Sequence, residues 1–116
     1  MHMDSLTSSF SALADPTRRA ILSRLSRGEA TVSQLVDQFD LSQPTISSHL
    51  KMLERAGLIT RGRIGTTRPC RLEPKGLRSM ADWLAEYERF WTGTIDSFVE
   101  FAEALHYKEA SDDSDT

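Results

Sequence analysis

A chain of 116 residues carrying 14 Lys/Arg against 17 Asp/Glu, formally −3 at neutral pH, is one domain by size, large enough for a core but not for two. No apolar run approaches the length of a membrane span, and the N-terminus lacks the basic-then-apolar pattern of a secretory signal. The single cysteine, Cys70, excludes an intramolecular disulfide and fits a reducing, cytoplasmic setting.

Leu6, Phe10 and Leu13 recur at spacings of four and three and predict a short amphipathic helix. Asp15-Pro16 reads as an N-cap followed by proline at the first helical position, with Ile21, Leu22 and Leu25 as the buried face and Gly28 as the stop. On that helix Arg18 and Arg19 have two readings: phosphate contacts, or solvated and intramolecularly paired cations. Thr31 with Gln34 matches a capping box, and Val32, Leu35, Val36 and Phe39 form the apolar stripe of the helix it starts. Asp40-Leu41-Ser42 is a short break. Ser42 then caps a second helix, Pro44 fits only its first turn, Ile46, Leu50 and Leu53 face inward, and Gly57 closes it. The outward side of that helix is Gln43, Thr45, Ser47, Ser48 and Lys51, small polar groups able to approach base edges. His49 lies beside Ile46 and Leu50 and is read either as half-buried or as a backbone contact.

Ile59–Arg61 and Thr67–Leu72 are β-permissive and joined through Gly62 and Gly65, which predicts a hairpin. Pro69 cannot donate to a ladder, so its strand is expected to present that position at an edge. A two-stranded ribbon is marginal alone and must lean on the preceding helix. Arg61, Arg63 and Arg68 are either a soluble turn or, beside a helix-turn-helix, a wing that touches DNA.

In the C-terminal third Leu77, Leu84, Trp91, Phe98 and Leu105 repeat every seven residues, with Met80, Tyr87, Thr94 and Phe101 three behind. A helix over 74–107 would run ~50 Å, longer than so small a domain covers alone, so part of the stripe is expected to meet a second copy. Thr92-Gly93-Thr94 is the expected place for a kink or break. The segment 110–116 has almost no apolar content and reads as a disordered acidic tail.

The charge is unevenly spread. Residues 1–41 hold four Arg against five acids, net −1; residues 42–78 hold eight Lys/Arg against Glu54 and Glu73, net +6; residues 79–116 hold Arg89 and Lys108 against ten acids, net −8. The positive third coincides with the second helix and the hairpin, which is the local footprint that phosphate contact requires.

DPTRRAIL (Asp15–Leu22), SQPTISSHLKML (Ser42–Leu53), ERAGLI (Glu54–Ile59) and the RIGTTRPCRLEP hairpin resemble the ArsR/SmtB-type winged-helix repressors, over roughly residues 10–105. The resemblance implies a homodimeric, sequence-specific repressor with a recognition helix in the major groove and a wing on the minor groove or backbone. Metal-sensing members often carry Cys-x-Cys at the start of the first helix of the motif. Here Thr31-Val32-Ser33 puts hydroxyls there, so soft thiolate coordination is not expected. His106 with Glu109, and Asp96 ten residues before His106, do not reproduce the family's second metal pattern.

The combined expectation is a mainly α winged helix-turn-helix of order α-α-α-α-β-β-α ending in a long dimerisation helix. Residues 1–109 form the domain, with no metal and no cofactor. Double-stranded DNA would meet Gln43, Pro44, Thr45, Ser47, Ser48, His49 and Lys51 of the helix and Arg61, Arg63, Thr66 and Arg68 of the hairpin. The second copy would meet Leu6, Phe10, Leu84, Tyr87, Trp91 and Phe98. Cys70 is either a redox handle beside Arg68 and Arg71 or a small packed hydrophobe. No H-E-x-x-H, phosphate-binding glycine loop or G-x-S-x-G supports an enzyme. A winged-helix protein-interaction module, or a metal- or redox-responsive repressor, are the competing readings.

Overall fold

Asp4 starts the first helix: its carboxylate accepts the Thr7 N–H at 2.8 Å and caps α1 (Ser5–Ala12). The computed structural model describes the backbone of residues 4–114 and the side chains of residues 4–94 and 96–106. Leu6 and Leu13 pack against the core as the spacing predicts, but the fully buried positions of α1 are Ser9 and Ala12. Ser9 tolerates burial because its hydroxyl donates to Ser5 O at 3.0 Å and reaches Ala56 O at 3.4 Å. α2 (Pro16–Leu25) begins at Asp15, with proline in its first turn, and buries Ile21, Leu22 and Leu25.

β1 (Ala30–Thr31) is a strand the sequence pattern does not announce. It leads directly into α3 (Val32–Phe39), whose capping box is complete: Gln34 N–H donates to Thr31 Oγ1 at 3.1 Å, and Thr31 N–H donates to Gln34 Oε1 at 2.8 Å. Asp40 ends α3 in the left-handed region, at φ 52°. Ser42 then caps α4 (Gln43–Arg55), and Ile46, Leu50 and Leu53 on its inner face are fully buried.

β2 (Ile59–Arg61) and β3 (Pro69–Leu72) pair antiparallel as expected, in the register Ile59 with Leu72 and Arg61 with Cys70. β1 adds to the other side of β3, Ala30 opposite Cys70 and Thr31 opposite Pro69. The sheet is therefore three-stranded in the order β1-β3-β2, and β3 is central. This corrects two expectations. The element order is α-α-β-α-α-β-β-α-α, and Pro69 does not sit on an edge strand. Pro69 is tolerated because it is the first residue of β3. Gly62 N–H donates to Pro69 O at 2.8 Å, Pro69 has no N–H to return the bond, and the β2–β3 ladder stops at Arg61.

The C-terminal third is also divided differently from the expectation. α5 (Pro74–Ala85) and α6 (Glu88–Ser114) are separate helices, and the chain breaks at Glu86-Tyr87 while running helically through Gly93. The break keeps its backbone bonded by short turns, Tyr87 N–H to Leu84 O at 3.0 Å and Phe90 N–H to Tyr87 O at 2.9 Å, so it leaves those donors satisfied. No glycine or proline marks it in the sequence. At Gly93 the helix instead continues, with the Thr94 hydroxyl donating to Phe90 O at 2.7 Å. α6 reaches Ser114, so the first five residues of the expected tail continue the helix, to which each added residue costs little once the nucleus exists. Residues 115–116 lie outside the described ones. Two compact units result, one ending at Ala81 and the other beginning at Asp82. The first holds the α1–α4 and sheet core, on which Met80 of α5 is buried; the second is mostly α6.

Candidate DNA interface

Burying Ile46, Leu50 and Leu53 fixes which side of α4 remains outside. That side carries Gln43, Pro44, Thr45, Ser48 and Lys51, exposed, and Ser47, half-buried. The first turn is set by the Ser42 cap, whose Oγ accepts Thr45 N–H at 3.3 Å and donates to Thr45 Oγ1 at 2.8 Å. The start of α4 therefore points its positive dipole end and small polar side chains outward together.

The wing between β2 and β3 closes tightly. Ile64 and Thr67 exchange both N–H···O bonds at 2.9 Å around Gly65-Thr66, and Gly65 takes φ +62°, which a two-residue hairpin turn requires. Arg63, Ile64, Thr66 and Arg68 are all exposed on it.

α4 and the wing enclose an open cleft of about 540 Å³. Gln43 and Ser47 line it from α4, and Arg61, Thr66 and Arg68 from the hairpin, so five of the sequence-predicted residues converge. Pro44, Thr45, Ser48, Lys51 and Arg63 are exposed outside its lining. Thr31, Ser33 and Thr67 also line the cleft. Sequence reasoning missed Thr31 and Ser33 as site residues because only the pairing of β1 with β3 brings them there. No local signal marks them: alanine is a poor strand former, and a two-residue strand carries no periodicity.

The cations differ in how free they are. Arg61 Nη2 pairs with Glu54 Oε1 at 3.1 Å across α4 and β2, and Arg71 Nε donates to Thr60 Oγ1 at 3.1 Å. Among the described residues Lys51, Arg63 and Arg68 make no ion pair. Arg18 and Arg19 are used inside the protein. Arg18 Nε donates to Ala12 O at 2.6 Å and Arg19 Nη1 to Leu13 O at 2.7 Å, binding the carbonyls at the end of α1. His49 is half-buried and faces the start of α2, its Nδ1 3.9 Å from Asp15 Oδ2.

Cys70 is fully buried at the centre of the sheet, its Sγ 3.8 Å from Arg68 O, and desolvation pushes the thiol pKa up. It is packed as a small hydrophobe. Among the described residues no three His, Cys, Asp or Glu side chains gather as a metal site, and the side chain of Glu109 lies outside them.

Of the residues expected to meet a second copy, Leu6 packs on the core and Phe10 is 36% exposed. Leu84, Tyr87 and Trp91 are each about 40% exposed and Phe98 70%. Trp83 and Tyr87 stack obliquely at 5.0 Å between ring centroids. The seven-residue repeat therefore does not run on one straight helix but is split at Tyr87.

Comparison with known proteins agrees with this geometry. Residues 15–61 match the family described as bacterial regulatory protein, arsR family. The chain is similar to the HTH-type transcriptional regulator Rv2034 of Mycobacterium tuberculosis, 37% identical over 93 residues that cover 80% of this chain and 84% of that one. It is similar to the transcriptional repressor SdpR of Bacillus subtilis at 35% identity, over 67% of this chain and 87% of that one. Among solved structures it superposes on an ArsR family transcriptional regulator, RHA00566, with a TM-score of 0.70 at 44% identity, over 77% and 98% of the two chains. It also superposes on the homodimeric winged helix-turn-helix DNA-binding domain Mb0332 of Mycobacterium bovis, with a TM-score of 0.62 at 26% identity, over 74% and 81%.

Proposed function

The chain belongs to the arsR family of bacterial regulatory proteins, and from that premise we propose a homodimeric repressor that covers promoter DNA in the cytoplasm and is released by a non-metal signal. One observation carries the reading: the polar start of α4 and the arginine-bearing wing line a single open cleft, within the stretch of net charge +6. In this reading Gln43, Thr45, Ser47 and Ser48 meet base edges in the major groove, while Lys51, Arg63 and Arg68 neutralise phosphates. Arg61 lines the cleft but is shared with Glu54, so its part is smaller.

One recognition helix covers too few base pairs to select a site against a genome. A second copy supplies the other half-site, and the exposed Trp91, Phe98 and Phe101 of α6 are the apolar surface that a symmetric partner would cover. The hydroxyls of Thr31 and Ser33 stand at the cleft where thiolates would suit a soft metal, which supports a signal of another kind.

Selection from a library of random duplexes by the purified protein tests the reading. Expected is an inverted repeat with half-sites about one helical turn, ~34 Å, apart, bound with an affinity that falls steeply with salt. Recovery of no preferred sequence would overturn it in favour of a protein-interaction module.

A further inference from the structure

His49 sits on α4 among residues assigned to DNA, yet its ring is turned into the protein, with 18% of the side chain exposed. It shares a helix edge with Thr45, one turn earlier, while Ile46 and Leu53 beside it are fully buried. Its Nδ1 lies 3.5 Å from Arg18 Nη1 and 3.9 Å from Asp15 Oδ2, both at the start of α2. Neither partner is loose. Asp15 accepts the Arg18 N–H at 3.0 Å, and Arg18 Nε and Nη2 donate to Ala12 O at 2.6 Å and Ser11 O at 3.4 Å. The carbonyls that end α1, the first turn of α2 and the middle of α4 thus meet through one ring nitrogen. About two turns further along α4, Ser9 Oγ of α1 reaches Ala56 O at 3.4 Å, a second polar tie between the same elements.

Apolar burial of Ile46, Leu50 and Leu53 presses α4 onto the core, but that force is non-directional and leaves the rotation of the helix about its own axis weakly set. A polar contact on one edge sets it, and base reading needs side chains held to within about 0.5 Å. We propose that His49 is a positioning residue for base reading: through Nδ1 it ties α4 to Asp15 and Arg18 and so sets how Gln43, Thr45 and Ser47 meet the bases, without touching DNA itself. The inference rests on the repressor reading. It separates His49 from a phosphate contact. Losing a phosphate contact weakens every duplex alike, because such contacts carry no sequence information. Misdirected base-reading side chains weaken the selected duplex alone, since binding to random sequence is carried by phosphates.

The test compares His49→Ala, His49→Asn and His49→Gln on the duplex recovered by selection and on a random duplex of the same length. Asparagine places its amide where the imidazole Nδ1 lies and offers both an acceptor to Arg18 and a donor to Asp15; glutamine places its amide near Nε2 instead. His49→Ala should weaken binding to the selected duplex about tenfold or more and to the random duplex less than about twofold, with the salt slope unchanged. His49→Asn should stay within about threefold of wild type on the selected duplex, and His49→Gln should fall near the alanine variant. Denaturant unfolding of the same proteins should place the two amide variants at similar stability, so that binding does not simply follow folding. Equal loss on both duplexes would make His49 a backbone contact and overturn the inference. So would an unaffected His49→Ala, glutamine restoring binding as well as asparagine, asparagine as weak as alanine, or affinity that follows stability across the series. Each of these leaves base reading by α4 standing, whereas absence of any selected sequence would overturn both.

Discussion

The Nδ1 atom of His49, on the proposed recognition helix, lies 3.9 Å from Asp15 Oδ2 and 3.5 Å from Arg18 Nη1. The same carboxylate accepts the Arg18 N–H at 3.0 Å, so one residue both caps α2 and faces α4. That backbone hydrogen bond is the largest cause holding the Asp15 carboxyl below its usual range; partial desolvation opposes it, and the charges of His49 and Arg18 add to it.

A depressed carboxylate contributes stability that is present above the unfolded-state value and lost as pH falls through the folded one. The Asp15 contribution should therefore be intact at neutral pH and disappear below about pH 4. Urea midpoints followed from pH 7 to the acid limit should fall less steeply for Asp15→Asn, which retains a capping oxygen. An unchanged acid limb in that variant would remove Asp15 as a source of the pH dependence.

Gly76 tests how α5 is seated. A methyl group there would overlap the Gly57 carbonyl and come within 3.3 Å of Leu58 Cδ2, so Gly76→Ala forces α5 away from that backbone. The expected loss is about 1–3 kcal/mol. Gly93, with nothing within 4 Å of an added Cβ, gives the opposite outcome: Gly93→Ala should raise the helicity of α6 and stabilise it by about 0.5–1 kcal/mol. Equal effects at the two sites, read by thermal and denaturant unfolding, would contradict the packing described for α5.

Cations of the hairpin should separate by function. Arg63→Ala and Arg68→Ala should each weaken binding to selected and random duplexes alike and reduce the salt slope by about one. Arg61→Ala should do less, because its guanidinium is already engaged by Glu54. Against these, Gln43→Ala with Ser47→Ala should cost about 1–3 kcal/mol on the selected duplex and relax base choice. Wild-type selectivity in that double variant would remove both from the reading face.

The burial of Cys70 makes its thiol a reporter rather than a sensor. Native protein should resist thiol reagents and react fully only in denaturant, and Cys70→Ala should keep its DNA affinity. Rapid labelling of the folded protein, with loss of DNA binding, would restore the redox-responsive reading.

Much of this was legible because local signals and tertiary packing agree. The Thr31/Gln34 capping box, Asp15-Pro16, Ser42 with Pro44 and the Ile46, Leu50, Leu53 stripe each point to the element observed. β1 was not legible: two residues carry no periodicity, and their strand exists only because β3 is there to pair with them. Tyr87 shows the reverse case. The glycine that looks like a breaker is absorbed by α6, and the break falls among good helix formers. In the site, residue chemistry pointed to Gln43, Ser47 and Arg68, which the fold brings to one cleft, whereas the engagement of Arg18 and Arg61 depended on how each chain segment turns back on the preceding helix, to Ala12 and Glu54.

α6 carries a further consequence. Phe98 and Phe101 are 70% and 62% exposed, and Phe90, though the Arg89 guanidinium lies over its ring at 5.0 Å, is 60% exposed. On the proposed dimer, folding of that segment is coupled to assembly, so the apparent melting temperature should rise with protein concentration, as for any state stabilised by mass action. In a cell the consequence is a threshold. Dilute, newly made chains would be open to proteolysis along α6, and only above the dissociation constant of the pair would the repressor become both long-lived and able to hold its DNA.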